Sequence, residues 1–578
     1  MPNRPIKKWI VPPILPESIN ENLKEFPLIF RQILFNRGIK DIDSANKYLS
    51  ADMTIHDPFL LKDMKIAVTR VLKSINEQEQ VVIFGDYDVD GVTATALMFE
   101  MLTRLGGKAI KFIPNRFDEG YGFSFDALES VLELHPDLII TVDCGVRSVK
   151  EIDQANMLGI DVIITDHHQP HDLLPEACAI ICPKQPDDEY PFKDLAGVGL
   201  AYKFAEAISR EISGQIVDAN HWLDLVALGT IADLAPLTDE NRALVRKGLE
   251  IIQTGKRSGL AALAKVSGVN IQKTTSENIG FMLGPRLNAA GRLSTAETAF
   301  NLLISTDSDE TRRLASVLDK ENSRRQMLTR EIQIKVESQI DNIDRQWLLF
   351  NYSEEFNEGV IGLAASKLAE SYHRPSIIGT QNGDFIRASC RSIPEINITS
   401  ILDQCADLLV QHGGHSMAAG LKLELKNKDI FFERISSLIE AKIEGRDIQG
   451  EIEVDTDVLL PDLYPQLLDL FPLLEPTGID NPPPLFMTRN VEILSPKAVG
   501  RERDHLKFAV RNTKEKNEKN PKRVVFDAIG FNFGYLEKKL SLGARADILF
   551  SYEWNEYNGT KRLQLNVRDI RLNHDVYE

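Results

Sequence analysis

VVIFGDYDVDG, residues 81–91, passes from a continuous apolar run into a turn that carries three carboxylates. The apolar run has the length and composition of a strand that is buried on both faces, and such strands belong to parallel sheets covered by helices. Residues 93–105 form a helix candidate directly after the turn. This order predicts a strand–turn–helix unit in which Asp86, Asp88 and Asp90 lie at the carboxyl end of the strand.

Four further short apolar runs, each leading into a turn, follow along the chain: IKFI at 110–113, LIITV at 138–142, DVIIT at 161–165 and IIC at 180–182. Asp143 follows the second of these runs, and Asp166, His167 and His168 follow the third. Because the carboxyl ends of parallel strands meet at one edge of a sheet, these side chains are expected to form one cluster. The pattern indicates a doubly wound α/β domain with its site at that edge.

A cluster of four or more carboxylates would repel itself strongly if it were empty, so the sequence predicts bound divalent cations. Carboxylates with one or two histidines suit Mn²⁺ or Mg²⁺ better than zinc. The cluster is also large enough for two ions that share one aspartate, an arrangement that can activate water and brace a phosphoryl group.

Other interpretations of the same residues are less favoured. A calcium-binding EF-hand loop starting at Asp86 would require a glutamate at its twelfth position, where Leu97 stands. Each acidic turn taken alone is compatible with an ordinary surface turn, but their common register at strand ends favours a metal site. Cys178 and Cys182 have no second cysteine pair nearby, so buried apolar packing is favoured over a zinc site there.

The remaining pattern predicts an α/β protein with five segments. A long helical pattern over residues 309–340 joins two lobes, with a helix–loop–helix as the open alternative. Alternating apolar runs after residue 488 indicate a small antiparallel barrel or sandwich. The segments are a helical N-terminal segment at 1–75, the parallel-sheet domain at 76–240, a helical region with the connecting helix at 241–345, a second α/β domain at 346–450, and a linker with the β module at 451–578.

The composition constrains the function as well as the fold. A formal net charge of −18 over 578 residues argues against binding nucleic acid through the overall field of the protein. Residues 495–525 are an exception, because ten Lys or Arg stand there against four Asp or Glu. The five cysteines do not form a disulfide framework, and no apolar run is long enough for a membrane span. Without a signal peptide at the start, we expect a cytoplasmic protein that has no membrane partner.

A resemblance to a known family makes these expectations specific. DYDVDG, VDCG, TDHH and GTIADLAPL resemble the four motifs of the DHH phosphoesterase superfamily. NRFDEGYG, GPRLNAAGR, RASCRS and GGHSMAAG narrow the resemblance to the branch of bacterial exonucleases that are specific for single-stranded DNA. The resemblance covers nearly the whole chain. It implies a DHH catalytic domain at 76–240, a DHHA1-like substrate-binding domain at 346–450 and an OB-like nucleic-acid-binding barrel within 451–578.

The resemblance also implies roles for the acidic and histidine residues. It assigns the metal ligands as Asp88, Asp90, Asp143, His167 and Asp233. Asp86 and Asp166 would orient those ligands, and His168 would act on the phosphate side as an acid or hydrogen-bond donor. The implied reaction is phosphodiester hydrolysis by in-line attack of a metal-activated water. No nucleotide-binding loop of the G-x-x-x-x-G-K-[ST] type occurs, so ATP is not expected.

The other motifs are expected to bind the phosphates of the substrate, through Arg side chains and Gly-rich turns at helix starts. The pattern over residues 195–300, which includes FMLGPRLNAAGRL, indicates helices, although GPRLNAAGR is also predicted as a loop flanked by Arg286 and Arg292. His415 is predicted as the residue before a helix-like SMAAGL. ASCRS is predicted as a loop of the pocket, and Cys390 departs there from the family pattern, which has glycine, so the geometry expected for this loop is affected. The substrate-binding residues that the resemblance implies are Arg116, Arg286, Asn288, Arg292, Ser389, Arg391, Gly413, Gly414 and His415.

The function implied is 5′→3′ digestion of single-stranded DNA to mononucleotides in DNA repair and recombination. The expected partners are single-stranded DNA with a 5′ end, a single-strand-binding protein and a helicase, and we expect a monomer. Phe508, Phe526, Phe531 and Tyr552 of the β module are candidates for stacking on bases, with barrel core as the alternative. Two other functions stay open: a phosphoesterase acting on short oligonucleotides or nucleoside bisphosphates, and a non-catalytic DNA-binding scaffold.

Overall fold

The computed structural model describes residues 5–115, 122–212, 217–340, 342–343, 346–446, 448–500, 502–512, 524–540, 543–557 and 560–573. Its strands are β1 (Lys8–Ile10), β2 (Gln80–Gly85), β3 (Lys108–Phe112), β4 (Leu138–Val142), β5 (Asp161–Thr165), β6 (Ala179–Ile181), β7 (Leu349–Ser353), β8 (Ser376–Asn382), β9 (Phe385–Arg391), β10 (Leu409–Gly414), β11 (Ala418–Glu424), β12 (Glu451–Glu453), β13 (Thr456–Asp457), β14 (Phe486–Val499), β15 (His505–Arg511), β16 (Val525–Gly530), β17 (Arg545–Tyr557) and β18 (Thr560–Leu572).

The helices are α1 (Glu17–Asn22), α2 (Leu28–Asn36), α3 (Ile42–Ser50), α4 (Met64–Glu77), α5 (Val89–Arg104), α6 (Phe125–Leu132), α7 (Val149–Met157), α8 (Gly197–Glu211), α9 (Leu223–Ala232), α10 (Asp239–Gln253), α11 (Ser258–Val266), α12 (Ser276–Asn278), α13 (Gly284–Leu293), α14 (Glu297–Ile304), α15 (Ser308–Glu337), α16 (Glu358–Tyr372), α17 (Ile398–Asp403) and α18 (Lys428–Ile443). None of the helices in these described ranges has the length and apolar character of a membrane span.

The chain divides into two compact units, each built from separate stretches of sequence. The first contains Met1–Lys8, His56–Ala235 and Lys247–Glu451, and the second contains Trp9–Ile55, Pro236–Arg246 and Ile452–Glu578. The N-terminal segment predicted at 1–75 is thus shared between the two units. The boundaries of the five predicted segments stay a prediction.

A five-stranded parallel sheet lies in the first unit, in the order β3-β2-β4-β5-β6. Its central strand β4 (Leu138–Val142) is buried throughout, as its continuous apolar run requires. α5 packs on β2 and β3 and also contacts α8 and α9. The predicted doubly wound α/β domain is confirmed, and so is the helix after the acidic turn.

A second sheet of the first unit, in the order β10-β11-β9-β8-β7, forms the predicted second α/β lobe. The β7–β8 pair is parallel, and the other three pairs are antiparallel. The 30-residue helix α15 is continuous, so the helix–loop–helix alternative is wrong. Its buried side chains on one face, such as Leu318 and Ile332, keep it packed within the unit.

Three local predictions within this unit are wrong. SMAAGL does not begin a helix, because residues 418–424 are strand β11 and pair with β9. GPRLNAAGR is not a loop but helix α13, which agrees with the helical pattern over 195–300; its proline lies in the first turn, where a missing N–H is tolerated. The pocket segment ASCRS is not a loop either, since it lies largely on strand β9.

The second unit contains a closed five-stranded barrel. β14, β15, β16, β18 and β17 follow one another, and β17 pairs with β14 to close the ring. The prediction of a barrel is confirmed, although the β16–β18 pair is parallel. Phe508, Phe526 and Tyr552 are buried in its core, so these rings are not available for stacking on bases. Phe531 is 48% exposed and stays a candidate.

Candidate active site

The register of the parallel sheet brings the three acidic turns together. Gly85 is paired with Val142, Val142 with Thr165, and Thr165 with Ile181. The next residues of the first three strands are Asp86, Asp143 and Asp166, so their carboxylates occur side by side at one edge. All three side chains are at least 98% buried, as the alignment of strand ends predicts.

The DYDVDG turn forms the amino end of α5. Asp88 is the N-cap residue, and its carboxylate accepts a 3.0 Å hydrogen bond from the Gly91 N–H. Asp90 accepts hydrogen bonds from the N–H groups of Gly197 at 2.6 Å and Val198 at 2.8 Å. The start of α8 therefore holds the Asp90 carboxylate.

Gly197 is a functional residue that the sequence analysis missed. A Cβ atom at Gly197 would lie 2.6 Å from the Cβ of Asp143, closer than any real carbon contact. The only sequence signal was the pair of glycines in AGVG, at residues 196–199, before a helical pattern. This pattern does not predict which carboxylate accepts hydrogen bonds from the first N–H groups of the helix.

The clearest indication of a cation is a pair of buried atoms that face each other. Asp143 Oδ1 and His167 Nε2 lie 3.1 Å apart, and neither has a hydrogen-bond partner among the described residues. Asp233 Oδ2 lies 3.8 Å from the same His167 nitrogen. A divalent cation between these atoms would bind both of them, because such ions accept oxygen and imidazole ligands.

Three sets of side chains in this cluster have ligand atoms within 4.8 Å of one another. The sets overlap, because Asp143 belongs to two of them and His167 belongs to two of them. Overlapping sets of this kind fit two adjacent cations better than one. They are Asp143, His167 and His168; Asp90, His167 and Asp233; and Asp86, Asp88 and Asp143.

Burial and crowding raise the proton affinity of the carboxylates. Burial, followed by the charge of Asp88, raises the pKa of Asp90 to about 7. Burial and the charge of Asp90 raise the pKa of Asp143 well above its usual value and that of Asp233 to about 9. Burial, followed by the charge of His168, lowers the pKa of His167 to about 3, so this imidazole is neutral and suited to be a ligand.

Asp166 and His168 form a separate pair beside the cluster. His168 Nδ1 lies 2.7 Å from Asp166 Oδ1, and the backbone N–H groups of His168 and Val146 donate to the same carboxylate. Burial by itself would lower the pKa of His168, but the hydrogen bond to Asp166 and its charge raise it. The pair fixes the orientation of the ring and favours its protonated form.

The predicted pocket residues Ser389 and Arg391 lie on one face of β9. Arg391 donates to Ser366 Oγ at 3.1 Å, and a Cβ atom at Gly362 would lie 3.2 Å from both Arg391 Nη2 and Ser389 Oγ. Cys390 points to the opposite face and is fully buried in the lobe's core. The departure from glycine at Cys390 therefore leaves this face of the pocket unchanged.

α13 connects the acidic turn to the connecting helix. Asn288 Oδ1 accepts a 3.1 Å hydrogen bond from the Val89 N–H, so this predicted substrate residue also positions the turn. Arg286 donates to Asp319 on α15 at 2.9 Å and to the Met282 carbonyl at 2.7 Å. The backbone of Arg292 packs closely against Gly359 at the start of α16.

His415 lies in the turn between β10 and β11, next to Gly413 and Gly414. Its Nε2 is 3.4 Å from Nη1 of Arg147, and Arg147 also donates to the Gln169 carbonyl at 2.7 Å. Arg147 follows the VDCG motif, and the sequence analysis missed it. Arg116 lies outside the described residues, as does much of the basic stretch at 495–525.

Comparison with known proteins gives matches along most of the chain. The model of the DHH family, N-terminal domain, matches residues 80–230, the DHHA1 domain matches 346–441, and the RecJ OB domain matches 454–569. The chain is 37% identical to the single-stranded-DNA-specific exonuclease RecJ of Bacillus subtilis (strain 168) over 564 residues, covering 96% of this chain and 69% of the relative. It is 32% identical to RecJ of Escherichia coli (strain K12), covering 94% and 96%.

A solved structure agrees with these matches. The crystal structure of RecJ in complex with Mn²⁺ from Thermus thermophilus superimposes with a TM-score of 0.81 at 27% identity. The match covers 98% of this chain and 79% of that chain.

Proposed function

Because this chain belongs to the RecJ family of single-stranded-DNA-specific exonucleases, we propose that it is a metal-dependent exonuclease that digests single-stranded DNA from the 5′ end to mononucleotides. The observation that carries the proposal is the contact between Asp143 Oδ1 and His167 Nε2, two buried atoms without hydrogen-bond partners among the described residues. A divalent cation would satisfy both atoms at once.

The cations proposed are Mn²⁺ or Mg²⁺, the ions in the two Thermus thermophilus RecJ structures that this chain resembles. Their ligands would be Asp88, Asp90, Asp143, His167 and Asp233. Bound there, two such ions would lower the pKa of an attacking water and neutralise charge on the scissile phosphate.

The residues of this chain have distinct roles in the proposed reaction. Gly197 and Val198 hold the Asp90 carboxylate through their N–H groups, so that it keeps one orientation. Asp166 fixes the ring of His168, which donates a hydrogen bond or a proton on the phosphate side.

Ser389 and Arg391 bind the 5′-terminal phosphate, with His415 and its glycine turn beside them. Binding of the terminal phosphate there would give the 5′→3′ direction that the family resemblance implies. Arg116, Arg286, Asn288 and Arg292 are proposed to contact the strand near this pocket.

Asp143→Ala tests the proposal. We expect digestion of 5′-labelled single-stranded DNA in Mn²⁺ to be abolished and the melting temperature of the metal-free protein to be kept. Wild-type digestion that persists in excess chelator would contradict the metal mechanism. Comparison of long strands with dinucleotides and nucleoside bisphosphates separates the exonuclease from a small-substrate phosphoesterase, and a wild-type protein that binds DNA without digesting it would be a scaffold.

The proposed partners beyond single-stranded DNA are a single-strand-binding protein and a helicase, and the protein is proposed to be a monomer. The proposed compartment is the cytoplasm. The five cysteines support it, because all are free and four of them are buried.

A further inference from the structure

The turn that follows β6 carries a lysine to which no role has been assigned. β6 ends the parallel sheet on one side, and Ile181 is paired with Thr165 immediately before Asp166. Lys184 lies three residues beyond Ile181, at the same edge of the sheet as the acidic cluster. Its side chain is partly buried, and within the described part of the chain it has no hydrogen bond or ion pair.

The backbone at this turn is held on several sides. Gln185 N–H donates to the Cys182 carbonyl at 3.1 Å, which closes a four-residue turn with Pro183 at its second position. The buried Gln185 side chain donates to the Ile180 carbonyl at 2.6 Å. Cys182 Sγ lies 3.6 Å from the His168 carbonyl, which connects the turn to the histidine motif. These contacts hold the backbone to which the Lys184 side chain is attached.

The turn of Lys184 adjoins the strand end that carries the histidine motif. The Asp166 N–H donates to the Ile181 carbonyl at 3.1 Å, so the chain leaves β6 for Lys184 directly beside Asp166, His167 and His168. Within the described residues the Lys184 ammonium pairs with none of the carboxylates of the cluster, and it opposes rather than assists the binding of metal ions. A phosphate oxygen of the substrate is a partner of opposite charge that would reach this edge.

We propose that Lys184 is a catalytic residue that binds a non-bridging oxygen of the scissile phosphate. In the proposed hydrolysis a P–O bond forms to water and the P–O3′ bond breaks, while the water loses a proton and the 3′ oxygen gains one. A fixed ammonium at the phosphoryl oxygens stabilises the charge that they carry in the transition state. This inference rests on the proposed exonuclease function.

The test compares Lys184→Met and Lys184→Arg with wild type on 5′-labelled single-stranded DNA in Mn²⁺. Lys108→Met is the matched control, because Lys108 starts β3 at the opposite edge of the same sheet. We expect Lys184→Met to lower kcat about 100-fold, the usual loss when one such donor is removed. KM should change little, Lys184→Arg should recover at least a tenth of the wild-type rate, and Lys108→Met should behave as wild type.

Two further measurements separate catalysis from structure. Mn²⁺ affinity by titration calorimetry should be equal or tighter in Lys184→Met, since a nearby cation has been removed, and the melting temperature should be kept. The proposal is overturned if Lys184→Met stays within threefold of wild type, if its Mn²⁺ affinity falls as much as its kcat, or if Lys184→Arg is equally inactive. Lys184→Gln replaces Lys184→Met if the latter does not fold. An inactive wild type would instead refute the exonuclease function.

Discussion

Replacing Gly197 by alanine is expected to inactivate the enzyme without unfolding it. The new Cβ would lie 2.6 Å from the Cβ of Asp143, whereas carbon atoms in contact are about 3.5–4.0 Å apart, so one of the two must move by about 1 Å. A displacement of about 1 Å at a reacting centre lowers the rate about 100-fold. Overpacking costs about 1–3 kcal/mol, less than the about 5–15 kcal/mol by which folded proteins are stable.

The assay is the initial rate of digestion of 5′-labelled single-stranded DNA in Mn²⁺, with the melting temperature measured in parallel. Gly199→Ala is the matched control, because Gly199 is buried in the same helix and its Cβ would meet Leu195 at an ordinary 3.4 Å. We expect Gly199→Ala to keep the wild-type rate. A Gly197→Ala protein with a rate within threefold of wild type would refute the reasoning, because the Asp143 carboxylate would then tolerate the displacement.

Three further predictions concern the pocket, the histidine pair and the cations. Arg391→Ala should weaken digestion of 5′-phosphorylated strands about 10- to 100-fold and of unphosphorylated strands less than threefold, since a charge-assisted hydrogen bond is lost. Arg387→Ala is the control, because Arg387 lies on the same face of β9 but is paired with Glu358. An equal loss on both kinds of strand would show that Arg391 does not bind the 5′-phosphate. Asp166→Asn should lower kcat about 10- to 100-fold through the orientation of His168, with Mn²⁺ affinity by calorimetry unchanged. In excess chelator the melting temperature should fall as pH rises from about 4 to 9, because Asp90 and Asp233, with pKa values of about 7 and about 9 against an ordinary 3.8, hold protons in the folded state that the unfolded chain releases. The increase in melting temperature on adding Mn²⁺ should then be larger at pH 9 than at pH 6. An increase that does not depend on pH would contradict this prediction.

The acidic cluster could be predicted from sequence because parallel strands put their carboxyl ends at one edge. Asp86, Asp143 and Asp166 each follow an apolar run, and the strand register then brings them together. The contact of Gly197 with Asp90 joins residues 107 positions apart. Nothing local marks such a contact, so the sequence did not reveal what holds the carboxylate.

SMAAGL shows a different limit of the sequence. Its small residues and methionine favour a helix locally, but Ala418–Leu421 of this segment begin β11, which pairs with β9 over seven residues. Pairing within the sheet outweighs a weak helical preference. In α13 the helical pattern of the sequence agrees with the structure, because a proline in the first turn is compatible with a helix.

The alternation along β9 has a consequence for how variants of this protein should be interpreted. Ile386, Ala388 and Cys390 face the lobe's interior, while Arg387, Ser389 and Arg391 face the other way. Substitutions at Ile386, Ala388 and Cys390 should therefore lower the amount and the melting temperature of the folded protein. The kcat of the protein that does fold should be preserved. Those at Ser389 and Arg391 should leave abundance unchanged and alter which strand ends are accepted. Neighbouring residues of one strand should thus give different kinds of variant: folding defects on one face and changes in substrate choice on the other.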